Sequence, residues 1–404
     1  MAVQRGVGPR KRGRRDVVDI AHEAAIHPAS ASGAAARVPV PLTAIDPGQW
    51  RALAQRAIEP NGYYLPGWEL AVSATARGRT DASALAACDG PSPRLIGLMP
   101  VVSLWRALKI PLPALVSAHP YGTLCSPLID RDDPIEAAAR LLQQARAAGA
   151  HALVLTDVAL DGAAMNALGE VLDREGLKPR ILSSHIRASL DATRDGETLL
   201  REGLGARKLK ELRRQRHRLE DHGPVLFEVA RKPDEIRPAL ETFLQLEASG
   251  WKGKRGTALI QHAGDATFIR RAVPALAETA QCEIVTLRAG ATAVAAGIVL
   301  RHQDRAFFFK LGIDENFAKY SPGVQLTLEL TRHLCADPAI ASADSTASAD
   351  HSMINPFWRG RFAIGDVLIP LRRNDPVVAL IHAAVTGLNV AHEAARRVVR
   401  RLRK

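Results

Sequence analysis

Cysteine pairs of the C-x-x-C type are missing from this 404-residue chain; its four cysteines, Cys88, Cys125, Cys282 and Cys335, are scattered. Their scatter argues against a zinc ribbon or a disulfide scaffold and leaves reduced thiols among apolar neighbours. No run of 18 or more apolar residues occurs, so no transmembrane helix is expected. After Arg14-Arg15 the residues Asp16, Asp19, His22 and Glu23 stand where an export signal needs an apolar stretch. A cleaved twin-arginine leader is therefore not expected, and the protein reads as cytoplasmic.

A net charge of +12 suggests a nucleic-acid partner until it is located. Residues 1–15, 207–218 and 396–404 each carry +6, which leaves the remaining residues at −6. The basicity belongs to three short segments and the globular body is mildly acidic. In the middle segment no aromatics alternate with the cations, so a charged exposed face on a connecting helix is favoured over an RNA-binding arm. The last segment ends a C-terminal helix that is read as peripheral, with an anionic membrane surface as the functional alternative.

Length implies two or three domains. Residues 1–38 are rich in Arg, Ala, Gly and Ser without periodicity and read as a disordered extension. From residue 39 to 195, strand signals at 85–88, 94–103, 122–129, 152–158 and 180–190 alternate with helix signals at 134–148 and 162–175. A polar helix follows, over residues 198–221 within a 196–222 connector, with Leu209, Leu212 and Leu219 on one narrow stripe. A second α/β unit spans 223–374. It opens with a strand at 225–230, a helix at 233–248 and a glycine-rich loop at 249–258. Next come a helix at 266–279 and strands at 283–288, 292–301 and 305–313, whose short connections predict an antiparallel meander. A helix at 322–335 and strands at 340–345 and 364–370 complete it, and residues 375–404 read as a basic helix. The class is α/β with mixed sheets.

One helix start stands out. Ser321 suits an N-cap, Pro322 the first helical position, and Gly323 adds no side chain. The N–H groups of Gly323, Val324 and Gln325 would face outward at the positive end of the helix dipole, where a phosphate can reach them. A well-formed N-terminus that binds nothing has the same sequence.

In element order the second unit resembles the GNAT acyltransferase fold, and more narrowly the BioF2-like or CelD-like acetyltransferases related to the Fem peptidyltransferases. The resemblance rests on the basic helix 207–218, on Leu246-Glu247-Ala248-Ser249-Gly250-Trp251-Lys252-Gly253, on Gly312-Ile313-Asp314, on Phe317-Ala318 and on Tyr320-Ser321-Pro322-Gly323. It covers residues 200–370 closely. Before that only element order agrees, as in a degenerate first repeat, so two tandem GNAT-like domains joined by a basic helix are expected. The resemblance implies acetyl-CoA or another acyl-CoA as donor, no metal, and direct transfer to an amine or hydroxyl of a sugar, polysaccharide precursor or amino compound in a bacterial cell. It leaves open a Fem-like transferase that uses aminoacyl-tRNA, and a non-catalytic polysaccharide-biosynthesis protein on a GNAT shell.

Carried over residue by residue, the resemblance places the cofactor pyrophosphate at Tyr320, Ser321, Gly323, Val324 and Gln325. Only one glycine of the usual Gly-x-Gly remains there, and Pro322 removes a donor. Pantetheine would pair with Leu311, Gly312 and Ile313, where Gly312 suits a bulge or a close ligand approach. Tyr320 is a candidate to protonate the leaving thiolate, or else an ordinary half-buried aromatic. His351 is a candidate base with Asp350 to orient it, although adjacent residues seldom face each other. Trp251, Lys252 and Asp344 are candidates on the acceptor side, and Arg359 and Arg361 stand near the end of the cleft. Strand alternation sends Lys310 to solvent, the alternative being contact with the cofactor.

Overall fold

The first half supplies strands β1 (Val40–Pro41), β2 (Ser83–Asp89), β3 (Arg94–Ser103), β4 (Ala114–Ser117), β5 (Leu128–Ile129), β6 (Ala152–Ala159) and β7 (Arg180–Asp191). Its helices are α1 (Pro47–Gln55), α2 (Pro66–Thr75), α3 (Leu104–Leu108), α4 (Pro134–Ala147) and α5 (Ala163–Arg174). The second half begins with α6 (Gly196–Leu219), β8 (Val225–Ala230), α7 (Pro233–Ser249), α8 (Trp251–Lys254) and α9 (Ala263–Ala277). It continues through β9 (Cys282–Ala289), β10 (Thr292–His302), β11 (Arg305–Ile313), α10 (Pro322–Ala336), β12 (Ser342–Asp344), β13 (Gly360–Pro370) and α11 (Pro376–Leu402). This computed structural model describes residues 39–90 and 94–402, so the basic extension at 1–38 lies outside the described residues.

Helix starts follow local chemistry. Carboxylates of Asp46, Asp133 and Asp195 accept the N–H groups of Gln49, Glu136 and Thr198, fixing the starts of α1, α4 and α6. The predicted single helix over 198–221 is instead broken inside α6 at Gly205, whose φ of 70° and ψ of 162° are not helical. Beyond the break Leu209, Leu212 and Leu219 are buried as their stripe implies. The strand expected at 122–129 shrinks to Leu128–Ile129. Ahead of it the chain runs as a loop, turned at Tyr121 with φ 57° and anchored by Asn61 Nδ2, which donates to the carbonyls of Leu124 and Ser126.

All strands join one mixed sheet in the order β1-β2-β3-β4-β6-β13-β7-β12-β11-β10-β9-β8, with β5 paired to β3. Among the described residues only β4 with β6 and β11 with β12 are parallel. The centre of this order is an exchange. β13, from the end of the second half, lies between β6 and β7, while β7, from the end of the first, pairs with β12. Aromatic burial also unites the halves: the Trp68 ring packs edge-on against Phe268 and Phe309 at 4.9 Å, and Tyr63 against Phe307 at 5.6 Å. Among the described residues no helix is long and apolar enough to cross a membrane.

Candidate active site

The parallel strands β11 and β12 pair only at Arg305–Ser342, Ala306–Ala343 and Phe307–Asp344. Past that point they diverge, and a last tie runs from Thr346 Oγ1 to the Phe308 carbonyl at 2.6 Å. The wedge between them opens into a cavity of about 540 Å³. Register against β10 slips where Val299 faces Phe308 and Ile298 faces Lys310, leaving Phe309 as the extra residue of a β-bulge. This slip resets the strand's alternation. Lys310 therefore enters the cavity wall and does not take the solvent position that unbroken alternation predicts.

Gly312, expected at a bulge, is in regular register with Ala296, and a Cβ there would lie 2.8 Å from the Glu247 backbone nitrogen. Its missing side chain lets α7 approach β11. Leu311 and Ile313 line the cavity itself, and the Leu311 carbonyl accepts from Lys252 Nζ at 3.0 Å.

At the start of α10, Ser321 adopts a left-handed conformation (φ 54°) and its hydroxyl makes no cap. Its carbonyl accepts the Gln325 N–H at 3.0 Å, so that donor, expected to face a phosphate, is used inside the helix. The Gln325 side chain is buried and donates to the Leu212 carbonyl. Gly323 and Val324 keep the first-turn N–H positions that a helix leaves without partners. A Cβ on Gly323 would lie 3.0 Å from Leu311 Cδ2, 3.2 Å from Ile313 Cγ2 and 3.7 Å from Met353 Sδ, so this glycine adjoins the cavity's own lining.

The equivalent start in the first half, that of α4, is closed to anions. Asp133 caps it with its carboxylate and Glu136 adds a second acid to the first turn, whereas α10 has no acid there. The wedge between β4 and β6 is filled by the chain itself: Cys125 N–H donates to the Asp157 carbonyl, and Ser117 Oγ bonds Thr156.

Cations converge on the open wedge. Lys252 Nζ and Lys310 Nζ both lie 3.3 Å from Oε1 of buried Glu247, whose Oε2 accepts the Leu259 N–H. Burial, and then the neighbouring Lys310, push the Lys252 ammonium below its ordinary range. Trp251, half exposed on the same wall, carries the Arg255 guanidinium over its ring at 5.0 Å.

The first half supplies the opposite wall through Tyr63, Arg79, His119, Tyr121, Gly122 and Thr123. Arg79 lies over the Tyr121 ring at 4.4 Å and donates to His119 Nδ1, which also accepts the Tyr121 N–H. Burial, with Arg79 adding to it, pushes the His119 imidazole down to about 4. A Cβ on Gly122 would overlap the Tyr63 ring, so only glycine fits between the loop and this buried phenol. The Tyr63 hydroxyl has no hydrogen-bond partner among the described residues, and burial holds its pKa well above the ordinary value. Sequence reading missed this wall. Its one local signal, the turn-forming run His119-Pro120-Tyr121-Gly122, does not say where the turn leads.

The remaining candidates separate. His351 lines the cavity with Nδ1 buried and unpartnered, and burial pulls its pKa below the ordinary 6.5. Asp350 is exposed and makes no hydrogen bond to it, so the expected Asp-His pair does not form. Asp344 is fully buried and engaged by Arg187 and the Thr346 N–H, away from the acceptor side. The Tyr320 hydroxyl lies 3.0 Å from His222 Nε2, outside the cavity, because the left-handed turn at Ser321 carries its ring into the core beside α6. Arg359 and Arg361 bond backbone carbonyls outside the cavity.

With the geometry in place, residues 206–351 match the Acetyltransferase (GNAT) domain family. No curated protein matches the chain. Among solved structures the fold is similar to FemX, at 12% identity and TM-score 0.56, over 84% of this chain and 98% of that one. It is similar to the C-terminal domain of a putative lysylphosphatidylglycerol synthetase from Agrobacterium fabrum, at 13% identity and TM-score 0.51, over 84% and 95%. A conserved protein of unknown function from Bacteroides thetaiotaomicron aligns at 11% identity and TM-score 0.50, over 81% and 98%. At these identities the likeness is one of fold.

Proposed function

Because residues 206–351 match the Acetyltransferase (GNAT) domain family, we propose that this protein transfers an acyl group, acetyl first, from acyl-CoA to an amine or hydroxyl held in the wedge between β11 and β12. The observation that carries this reading is the contrast between the two helix starts. The α10 start is free of acids and borders the wedge through Gly323, while the α4 start is capped by Asp133 and Glu136. Residues Ser321, Gly323 and Val324 would hold the pyrophosphate at the positive helix end. Leu311 and Ile313 would flank the pantetheine, whose thioester carries the acyl group.

Installing the first half's acid tests this directly. Val324→Glu puts a carboxylate where α4 has Glu136, third in its helix. It is expected to weaken acetyl-CoA binding about tenfold or more by calorimetry, with a modest loss of melting temperature because Val324 packs against the core. Unchanged affinity would place the pyrophosphate elsewhere.

His351 Nδ1 would take the acceptor's proton as the nucleophile attacks the acyl carbon. Because the His351 pKa is lowered, its imidazole is neutral at pH 7 and gains a proton only on acidification. Activity is thus expected to fall below pH 6.5 along a limb that His351→Gln abolishes, together with about 100-fold or more of kcat/KM. A retained acid limb would rule His351 out as the base.

A tRNA-carried donor is the second reading, favoured by one observation. Arg207, Lys208, Lys210, Arg213, Arg214 and Arg218 are exposed on α6, the helix that Gln325 ties to the α10 start. Arg216 is not among them, because it pairs with Glu329 at 2.8 Å. The acceptor, whether sugar, polysaccharide precursor or other amino compound, belongs to the same proposal, as does a cytoplasmic site of action.

A further inference from the structure

Among the described residues no aspartate or glutamate lines the wedge cavity, yet three cations do. Lys252 and Lys310 share the one carboxylate behind them, that of Glu247, and one of its oxygens is already taken by a backbone N–H. Arg79 has no carboxylate partner among the described residues; its bonds go to His119 and to the Arg77 carbonyl. His119 adds no charge at neutral pH, and Asp265, behind Tyr121, is engaged by the Tyr121 hydroxyl and the Arg77 N–H. Even with the carboxylates of Glu247 and Asp265 counted behind the wall, the cavity faces its occupant with a net positive charge, in a body that is otherwise mildly acidic.

A cleft lined by one sign of charge raises the local concentration of the opposite one. A second observation points the same way. Tyr63, which lines this cavity, has no exposed surface, and its buried hydroxyl has no hydrogen-bond partner among the described residues. A buried donor left unmade in the protein alone is a group waiting for an acceptor atom.

We infer that the acceptor substrate is an anion, a small amine or alcohol that carries a carboxylate or phosphate which Arg79 and Lys310 receive. This rests on the acyltransferase reading for the acceptor's role, but the charge preference can be measured apart from donor binding. Neutral sugars and cationic polyamines are the classes it excludes. Tyr121 and Phe309 would cover the non-polar part of the acceptor, since both line the same cavity.

Product-like probes test it on the full-length protein. N-acetylglycine against N-acetylglycinamide isolates a carboxylate; N-acetylglucosamine 6-phosphate against N-acetylglucosamine isolates a phosphate. Calorimetry is expected to show the anionic member of one pair binding at least about tenfold tighter, and the preferred pair identifies the anion. Arg79→Gln and Lys310→Met should each remove that preference. If Lys310→Met disturbs α7 through Glu247, Arg79→Gln still decides, as its side chain bonds no carboxylate. Neutral probes binding as well as anions, or no anion binding at about 10 mM, would overturn the inference. Acetyl-CoA titrated separately tells the two failures apart. Donor binding without anion preference removes only this proposal, and anion preference without donor binding removes only the acyltransferase reading.

Discussion

Arg187→Leu is expected to destabilise the protein by about 3–5 kcal/mol, the usual cost of leaving one partner of a buried ion pair alone. Arg187 and Asp344 have side-chain exposures of 0% and 1%. Arg187 also donates to the Thr123 carbonyl at 2.6 Å and to Thr123 Oγ1 at 2.9 Å. These bonds join β7, β12 and the first-half loop that walls the cavity. Removing the guanidinium would strand a carboxylate that has only the Thr346 N–H left to it. Urea unfolding should show the loss, and the double variant Arg187→Leu with Asp344→Leu should recover most of it. A single variant within about 1 kcal/mol of the parent, the range of an exposed pair, would mean that water reaches this site.

Gly323→Val should weaken donor binding sharply at a modest cost in stability. Even a Cβ at this position approaches Leu311 and Ile313 to 3.0 and 3.2 Å, and valine adds two methyl groups on a stiff branch. They would fill the space between the helix start and β11 and crowd the first-turn N–H groups. Acetyl-CoA affinity is expected to drop about 100-fold or more, roughly 2.7 kcal/mol. Overpacking should cost stability only about 1–3 kcal/mol, because Leu311 and Ile313 border an open cavity. Parental affinity in this variant would refute the α10 start as the pyrophosphate site.

What could be read in advance follows the reach of the interactions. The meander of β9, β10 and β11 was legible because short turns and alternation are local, and Ser-Pro-Gly marked the α10 start for the same reason. Lys310 was misplaced because one extra residue at Phe309 reverses alternation, and nothing in a Phe-Phe-Phe run says which ring is unpaired. Tyr320 and Gln325 sit within the recognised motif, yet a left-handed Ser321 and the neighbouring α6 turn both away from the cavity. Asp344 is a polar residue near the cleft in sequence, but its partner Arg187 lies 157 positions earlier. The wall formed by Tyr63, Arg79 and Tyr121 was invisible for a similar reason: it depends on how the halves meet, which local patterns do not encode.

The exchange at the sheet centre also sets an order for synthesis. While β7 is being made, β6 already exists, but β13, which will lie between them, is about 170 residues from emerging at the usual rate of roughly 5–20 residues per second. For that interval, on the order of ten seconds or more, the first half presents an open strand edge, the feature most apt to pair with another chain. Each half is thus completed by the other's last strand, and the nascent protein depends on its final 45 residues to close a sheet begun near its start.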